Sequence, residues 1–213
     1  MCSSDLPNAL QGQISAGRYT SSLGGYQVLF DGVAAPLLYA GPTQINAVVP
    51  QAVAYGDYTQ MQIVTPSGTI AGPTLAVRQS EPYIFQNSLT GLAAALNQDG
   101  SVNSPQNPAK AGEIVTIFAT GGGATSWPDG VVITGIFYRA ILPVSVLAGP
   151  AGGGASTSLE VLYAGDAPGD VAGVMQVNFR LPESFPTVGS TSFTFTLQVG
   201  GTLGGQASVA ISQ

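Results

Sequence analysis

The chain has no histidine, a single cysteine (Cys2), a single tryptophan (Trp127), and charged side chains at only 8% of its 213 positions. Each scarcity removes a class of chemistry. Without imidazole, no side chain has an ordinary pKa near neutrality. Ser-His-Asp and Cys-His nucleophiles and the usual His-containing zinc sites are therefore excluded. One cysteine excludes an intrachain disulfide, and a free thiol near a terminus is silent about redox compartment. Five Lys and Arg residues, nowhere clustered, stand against eleven Asp and Glu for a net charge of -6. Neither nucleic-acid phosphates nor an anionic membrane surface would meet a basic patch.

The first residues, Met1 to Pro7, carry neither a basic region nor an apolar stretch and do not read as a signal peptide. On that reading, an exported parent protein would give this chain as a processed product or a fragment. The stretch 131–149 is apolar but holds Thr134, Gly135, Arg139, Pro143 and Ser145. It reads as two strands joined by a bend, and membrane insertion is not expected.

What the chain does have is short apolar runs closed by turn residues, the text of an all-β protein. Residues up to about 20 read as an irregular, frayed start. Then come Tyr26 to Phe30 before Asp31-Gly32, Leu37 to Ala40 before Gly41-Pro42, Ile45 to Val49 before Pro50, Gln60 to Val64, and Thr74 to Arg78. A second series starts near Ile84. Leu92 to Asn97 and Ser101 to Asn103 flank Asp99-Gly100, a pair that tolerates the positive φ of a tight hairpin turn. Strands are expected at Glu113 to Ala119, Val131 to Ile133, Leu142 to Leu147, Ser158 to Tyr163, Val174 to Leu181, Ser192 to Val199 and Gln206 to Ile211. In Ser192 to Val199, Phe193, Phe195, Leu197 and Val199 alternate with polar residues, as a half-buried strand requires.

An internal repeat organises these runs. Leu38-Tyr39-Ala40-Gly41 followed by Gln44-Ile45-Asn46-Ala47-Val48-Val49-Pro50 recurs as Leu162-Tyr163-Ala164-Gly165 followed by Gln176-Val177-Asn178-Phe179-Arg180-Leu181-Pro182. The second copy holds a longer loop, Asp166 to Met175, between its halves. Repetition at this distance points to two related β-sandwich domains, residues 19–83 and 84–213, with Ser80-Glu81-Pro82 at the junction. Two copies edge to edge within one larger sandwich is the rival geometry.

The blocks LLYAGPTQINAVVP, ALNQDGSVNSPQNPAKAGEIVTIFATGGG, LPVSVLAG and VLYAGDAPGDVAGVMQVNFRLP, in that order over roughly residues 23 to 211, resemble an uncharacterised family of C-terminal domains in large secreted proteins of Solibacter and other acidobacteria. Ala109 to Gly121 is also similar to the opening strand of the immunoglobulin-like domains shared by plexins and some transcription factors. The resemblance implies two tandem immunoglobulin-like β-sandwiches in a secreted or cell-surface bacterial protein, with no catalytic residues to carry over. The family's usual first domain has an opening strand and Gly-rich turn before the position of Tyr19 to Gly25, and Met1 to Arg18 does not resemble them. A first domain lacking an edge strand would favour pairing with another chain or domain.

Several residue groups invite a chemical reading beside a structural one. Asn97, Asp99, Ser101 and Asn103 alternate like the start of a calcium loop, yet the twelfth position is Pro108 where an EF-hand needs a carboxylate. Hairpin capping is the expectation. Asp166 and Asp170 are read as a solvated turn ahead of a shared cation site. No metal or cofactor is expected. Gly121-Gly122-Gly123 and Gly152-Gly153-Gly154 lack the Lys-Ser/Thr of a phosphate loop, and Ser67 and Ser156 lack a nucleophile setting. Glu81, Glu113, Glu160 and Glu183 leave only a histidine-free glycoside hydrolase open as an enzymatic alternative. Trp127, with Tyr138 or Tyr163, is the candidate stacking platform for a sugar; covering the end of its own sandwich is the plainer role. Tyr39 and Tyr163, with Gln44-Asn46 and Gln176-Asn178, are read as packing and loop-fixing groups.

The expectation is a non-catalytic structural or adhesion module that contacts other domains of a longer polypeptide, and through neutral surfaces a second copy or a glycan. A carbohydrate-binding accessory domain is the alternative.

Overall fold

The computed structural model describes residues 9–148, 157–185 and 189–212, and all regular structure there is β apart from one short 3-10 helix, Gln51–Tyr55. No helix among the described residues is long and apolar enough to cross a membrane. The chain folds as two compact units. It leaves the first after Gln79 and returns to it twice, with Ala124–Gly135 and Pro168–Gly173. The first unit is thus discontinuous, which a boundary drawn along the sequence does not express.

The first unit contains β1 (Leu10–Gln11), β2 (Ile14–Ser15), β3 (Arg18–Tyr19), β4 (Gln27–Phe30), β5 (Val33–Ala34), β6 (Leu37–Gly41), β7 (Gln44–Ala47), β8 (Tyr58–Thr65) and β9 (Gly68–Ala76). They form sheets ordered β1-β6-β7 and β5-β4-β8-β9, and the small hairpin β2-β3. Leu23, Val28, Phe30, Ala35, Leu37 and Ala40 form the core, with Leu10, Ile45, Ala47, Val53 and Met61 packed on it. Two sequence expectations change here. Residues from Leu10 onward are not irregular: β1 pairs with β6, and β2 turns into β3 through Ala16 and Gly17 at positive φ. Two-residue ladders leave no periodicity to read. The strand expected at Thr74 to Arg78 instead starts at Gly68, because the Pro66-Ser67 turn feeds directly into pairing with β8.

The second unit contains β10 (Tyr83–Ile84), β11 (Ala95–Leu96), β12 (Ala109–Lys110), β13 (Ile114–Thr120), β14 (Val144–Ala148), β15 (Thr157–Ser158), β16 (Val161–Asp166), β17 (Met175–Arg180), β18 (Ser192–Val199) and β19 (Thr202–Ser212). One sheet runs β10-β13-β17-β16, with β11 also on β13, and the other runs β12-β19-β18-β14-β15. Alternation builds the core between them. Val115, Ile117 and Ala119 from β13 and Val177 and Phe179 from β17 meet Phe195, Leu197 and Val199 from β18, all at 0% exposure. The rings of Phe179 and Phe195 lie 4.9 Å apart, tilted by 54°. The residues 131–133 expected as a strand make only isolated bridges, Arg18 with Val131 and Val132 with Val171, within the first unit.

The sequence repeat is a repeated hairpin. In β6-β7, Leu37, Tyr39, Ala40 and Gly41 face Ala47, Asn46, Ile45 and Gln44. In β16-β17, Val161, Tyr163, Ala164 and Gly165 face Phe179, Asn178, Val177 and Gln176. Both copies break register at the same place, so Leu38 and Leu162 occupy equivalent bulges. On the second strand of each, Gln44 donates to Asn46 at 2.5 Å and Gln176 to Asn178 at 2.9 Å.

Candidate functional site

Three clusters hold the residues singled out by sequence. In the first unit, Trp127 is half-buried on a loop fastened to the 3-10 helix by one glutamine. The Gln51 side-chain amide accepts from the Thr125 N–H at 2.9 Å and donates to the Trp127 carbonyl at 2.7 Å. Asp129 returns the bond, its carboxylate accepting the Gln51 N–H at 3.1 Å at the helix start, where backbone donors lack internal partners. The Arg18 guanidinium donates to the Asp129 carbonyl at 2.9 Å. The Trp127 loop is therefore a fixed element. Nothing in the sequence pointed to Gln51, which lies 74 to 78 residues from these partners.

In the second unit, Tyr138 is 41% exposed within a run that also leaves Ile136, Phe137 and Ile141 open to solvent. Its backbone is locked to β16. The buried Asp166 carboxylate accepts the Tyr138 N–H at 2.7 Å, the Asp166 N–H donates to the Tyr138 carbonyl at 2.9 Å, and the Ala140 N–H donates to Ala164 at 3.0 Å. The Tyr163 hydroxyl donates to the Asp166 carbonyl at 2.9 Å, and the Arg139 guanidinium lies over the Tyr163 ring, 5.5 Å from its centre. Burial, then the Asp166 charge, raises the Tyr163 hydroxyl above its ordinary pKa, while Arg139 opposes the rise. The structure brings Tyr138 and Tyr163 together. Trp127 belongs to the other unit.

The alternating oxygens of 97–103 are occupied. Asp99 accepts from the Ser101 N–H at 2.9 Å and hydroxyl at 2.5 Å, which hold its carboxyl below the usual range. Buried Asn103 imitates a strand residue: its amide donates to the Ala210 carbonyl at 2.9 Å and accepts the Ala210 N–H at 2.7 Å. It also donates to Asn97 Oδ1 at 2.9 Å. The oxygens expected of a cation loop thus satisfy backbone and amide donors. No group of three or more His, Cys, Asp or Glu among the described residues is arranged to hold a metal. Asp166 is committed to Tyr138, and partial burial raises the pKa of Asp170.

The remaining carboxylates divide in the same way. Glu113 caps the Lys110 N–H at 2.8 Å, and Glu160 pairs with Arg180 at 2.8 Å. Glu160, Arg180 and Glu183 line a groove of about 770 Å³ with Phe185, Phe193 and several serines. The pattern of single strands gave no sign of this groove, because its walls come from segments distant in sequence. Ser67 sits in the β8-β9 turn, where its N–H donates to the Thr65 hydroxyl. At Gly121 a Cβ would overlap the Glu81 carbonyl, so that glycine serves a close backbone approach. Cys2, Gly152-Gly153-Gly154 and Ser156 lie outside the described residues.

No protein-family model, curated protein or solved structure matches the chain in comparison.

Proposed function

We propose that the chain is a non-catalytic structural or adhesion module of an exported bacterial protein, built from two immunoglobulin-like sandwiches. The observation that carries this reading is strand order. In the second unit β10-β13-β17-β16 follows the A-B-E-D order of an immunoglobulin sheet, and β19-β18-β14 follows G-F-C, with β15 in the C′ place. The first unit's β5-β4-β8-β9 takes the same C′-C-F-G order, and the shared β6-β7 and β16-β17 hairpins take the D-E place. Asp99, Asn103, Glu113 and Asp166 are engaged in holding strands and turns, which supports a scaffold role beyond fold analogy. With few cations to steer partners, contact would rest on neutral side chains and backbone.

The test joins light scattering with a panel of glycosidic substrates. Self-association without turnover is expected. Turnover lost in Glu160→Gln or Glu183→Gln would contradict the reading in favour of the hydrolase.

A carbohydrate-binding accessory role is the second reading, favoured by the rigid mounting of Trp127 and by the hydroxyl-rich groove. Glycan-array signal that disappears in Trp127→Ala, or in Phe193→Ser for the groove, would establish it.

A further inference from the structure

The two copies of the repeated hairpin differ on one side. In the second unit β17 is flanked on both edges, by β16 and by β13, and the β13 register runs without a break from Ile114 opposite Arg180 to Ala119 opposite Met175. In the first unit β7 pairs with β6 alone; among the described residues no strand occupies its other edge. Burial records the difference. Leu181 is 1% exposed, whereas its counterpart Val49 is 52% exposed. Val177 and Phe179 are fully buried, while Ile45 and Ala47 are only partly so.

The hydrogen-bonding direction of that edge is fixed. The Val48 N–H donates to the Pro36 carbonyl on the β6 side, as the Arg180 N–H donates to Glu160 on the β16 side. Alternation then turns the N–H and C=O groups of Ile45, Ala47 and Val49 to the other edge. Their counterpart Leu181 uses its N–H there to reach the Glu113 carbonyl at 2.9 Å. The edge also lacks the usual guards. Thr43 to Val49 contains no charge and no proline, whereas β9, an edge strand of the unit's four-stranded sheet, carries Pro73.

We infer that the β7 edge is a strand-docking site for an extended, uncharged polypeptide segment of another molecule. The segment would run antiparallel along Thr43 to Val48 with small or β-branched residues at alternate positions. The internal copy supplies the template: β13 covers the equivalent edge with Val115, Ile117 and Ala119 inward and Thr116 and Phe118 outward. Backbone pairing would supply affinity, and the half-covered Ile45, Ala47 and Val49 would supply selectivity for the inward residues. This inference stands on the two hairpins and survives failure of the adhesion reading.

The probe is a blocked peptide with the sequence of Ile114–Thr120, extended by two lysines for solubility and titrated into the intact chain by NMR. Saturable binding that slows amide exchange at Ile45, Ala47 and Val49, leaving Val48 unchanged, is expected. The same peptide with proline in place of its central isoleucine should bind about tenfold weaker or less, having lost pairing on that side. On the protein, Ala47→Pro removes one outward donor and Val49→Lys places a charge on the exposed edge, the latter with little risk to folding. Either should weaken binding about tenfold while leaving the thermal midpoint near that of the parent for Val49→Lys. Absence of binding, binding indifferent to the proline peptide and to Val49→Lys, or protection of Ile45 and Ala47 by self-association without peptide would each overturn the inference.

Discussion

Replacing Asn103 separates the two readings of the 97–103 loop. Its side chain is 6% exposed and makes three bonds, two to Ala210 and one to Asn97, themselves 1% and 7% exposed. Asn103→Ala leaves the Ala210 N–H, the Ala210 carbonyl and Asn97 Oδ1 without that partner. Each buried group left unmatched costs about 1 to 3 kcal/mol, and water reaching the enlarged site recovers part of it, so a net loss of about 3 to 5 kcal/mol is expected. Asn103→Asp is the sharper variant. It keeps the acceptor for Ala210 but turns a donor into an oxygen facing two oxygens, and should be as damaging near neutrality. Its carboxyl would have a raised folded-state pKa, so stability lost to the substitution should return as the pH falls through that value. Urea denaturation followed by far-ultraviolet circular dichroism, with and without millimolar calcium, gives the numbers. A loss under about 1 kcal/mol, or rescue of Asn103→Asp by calcium, would refute the pinning argument.

Other consequences follow from the same geometry. Gly165→Ala should destabilise far more than Gly41→Ala: a Cβ at Gly165 meets the Tyr138 carbonyl and Arg139 backbone, whereas at Gly41 it meets only the movable Tyr39 ring. Paired thermal melts check the order. Phe179→Ala empties the contact with Phe195 and should cost about 3 to 5 kcal/mol by chemical denaturation. Asp31, at positive φ in the β4-β5 turn, accepts the Gln60 N–H at 2.9 Å, and that bond holds its carboxyl below the usual carboxylate range. A carboxyl depressed by folding stabilises above its unfolded pKa and loses that contribution as the pH drops through the folded value. Asp31→Asn keeps the acceptor without the titration, and should therefore flatten the dependence of the melting midpoint on pH below about 4.

The hairpin repeat and the main core strands were legible because their signals are local. The Tyr-x-Gly and Gln-x-Asn spacings survive in both copies, and Phe193, Phe195, Leu197 and Val199 alternate within one strand. The Asp99-Gly100 hairpin could be read for the same reason. Residues 10–19 could not, since two-residue strands such as Leu10–Gln11 take their order from pairing with β6, not from their own pattern. The return of 124–135 and 168–173 to the first unit is likewise set by long-range bonds, among them Gln51 to Thr125 and the Ile133 N–H to the Asp170 carbonyl. Of the site residues, Tyr138 and Tyr163 come together through Asp166, whose role a turn-like sequence context concealed.

Amide hydrogen exchange across the two equivalent strands, measured in one experiment on the free chain, addresses the central structural claim most directly. Exchange at Val177 and Phe179 should be slow, in keeping with a strand bonded on both edges. In β7, Asn46 should be protected by β6 while Ile45 and Ala47 exchange quickly, an odd-even pattern with no parallel in β17. Equal protection along β7, or fast exchange at Val177 and Phe179, would contradict the picture of one hairpin built twice whose second strand, among the described residues, is paired on its far edge in only one copy.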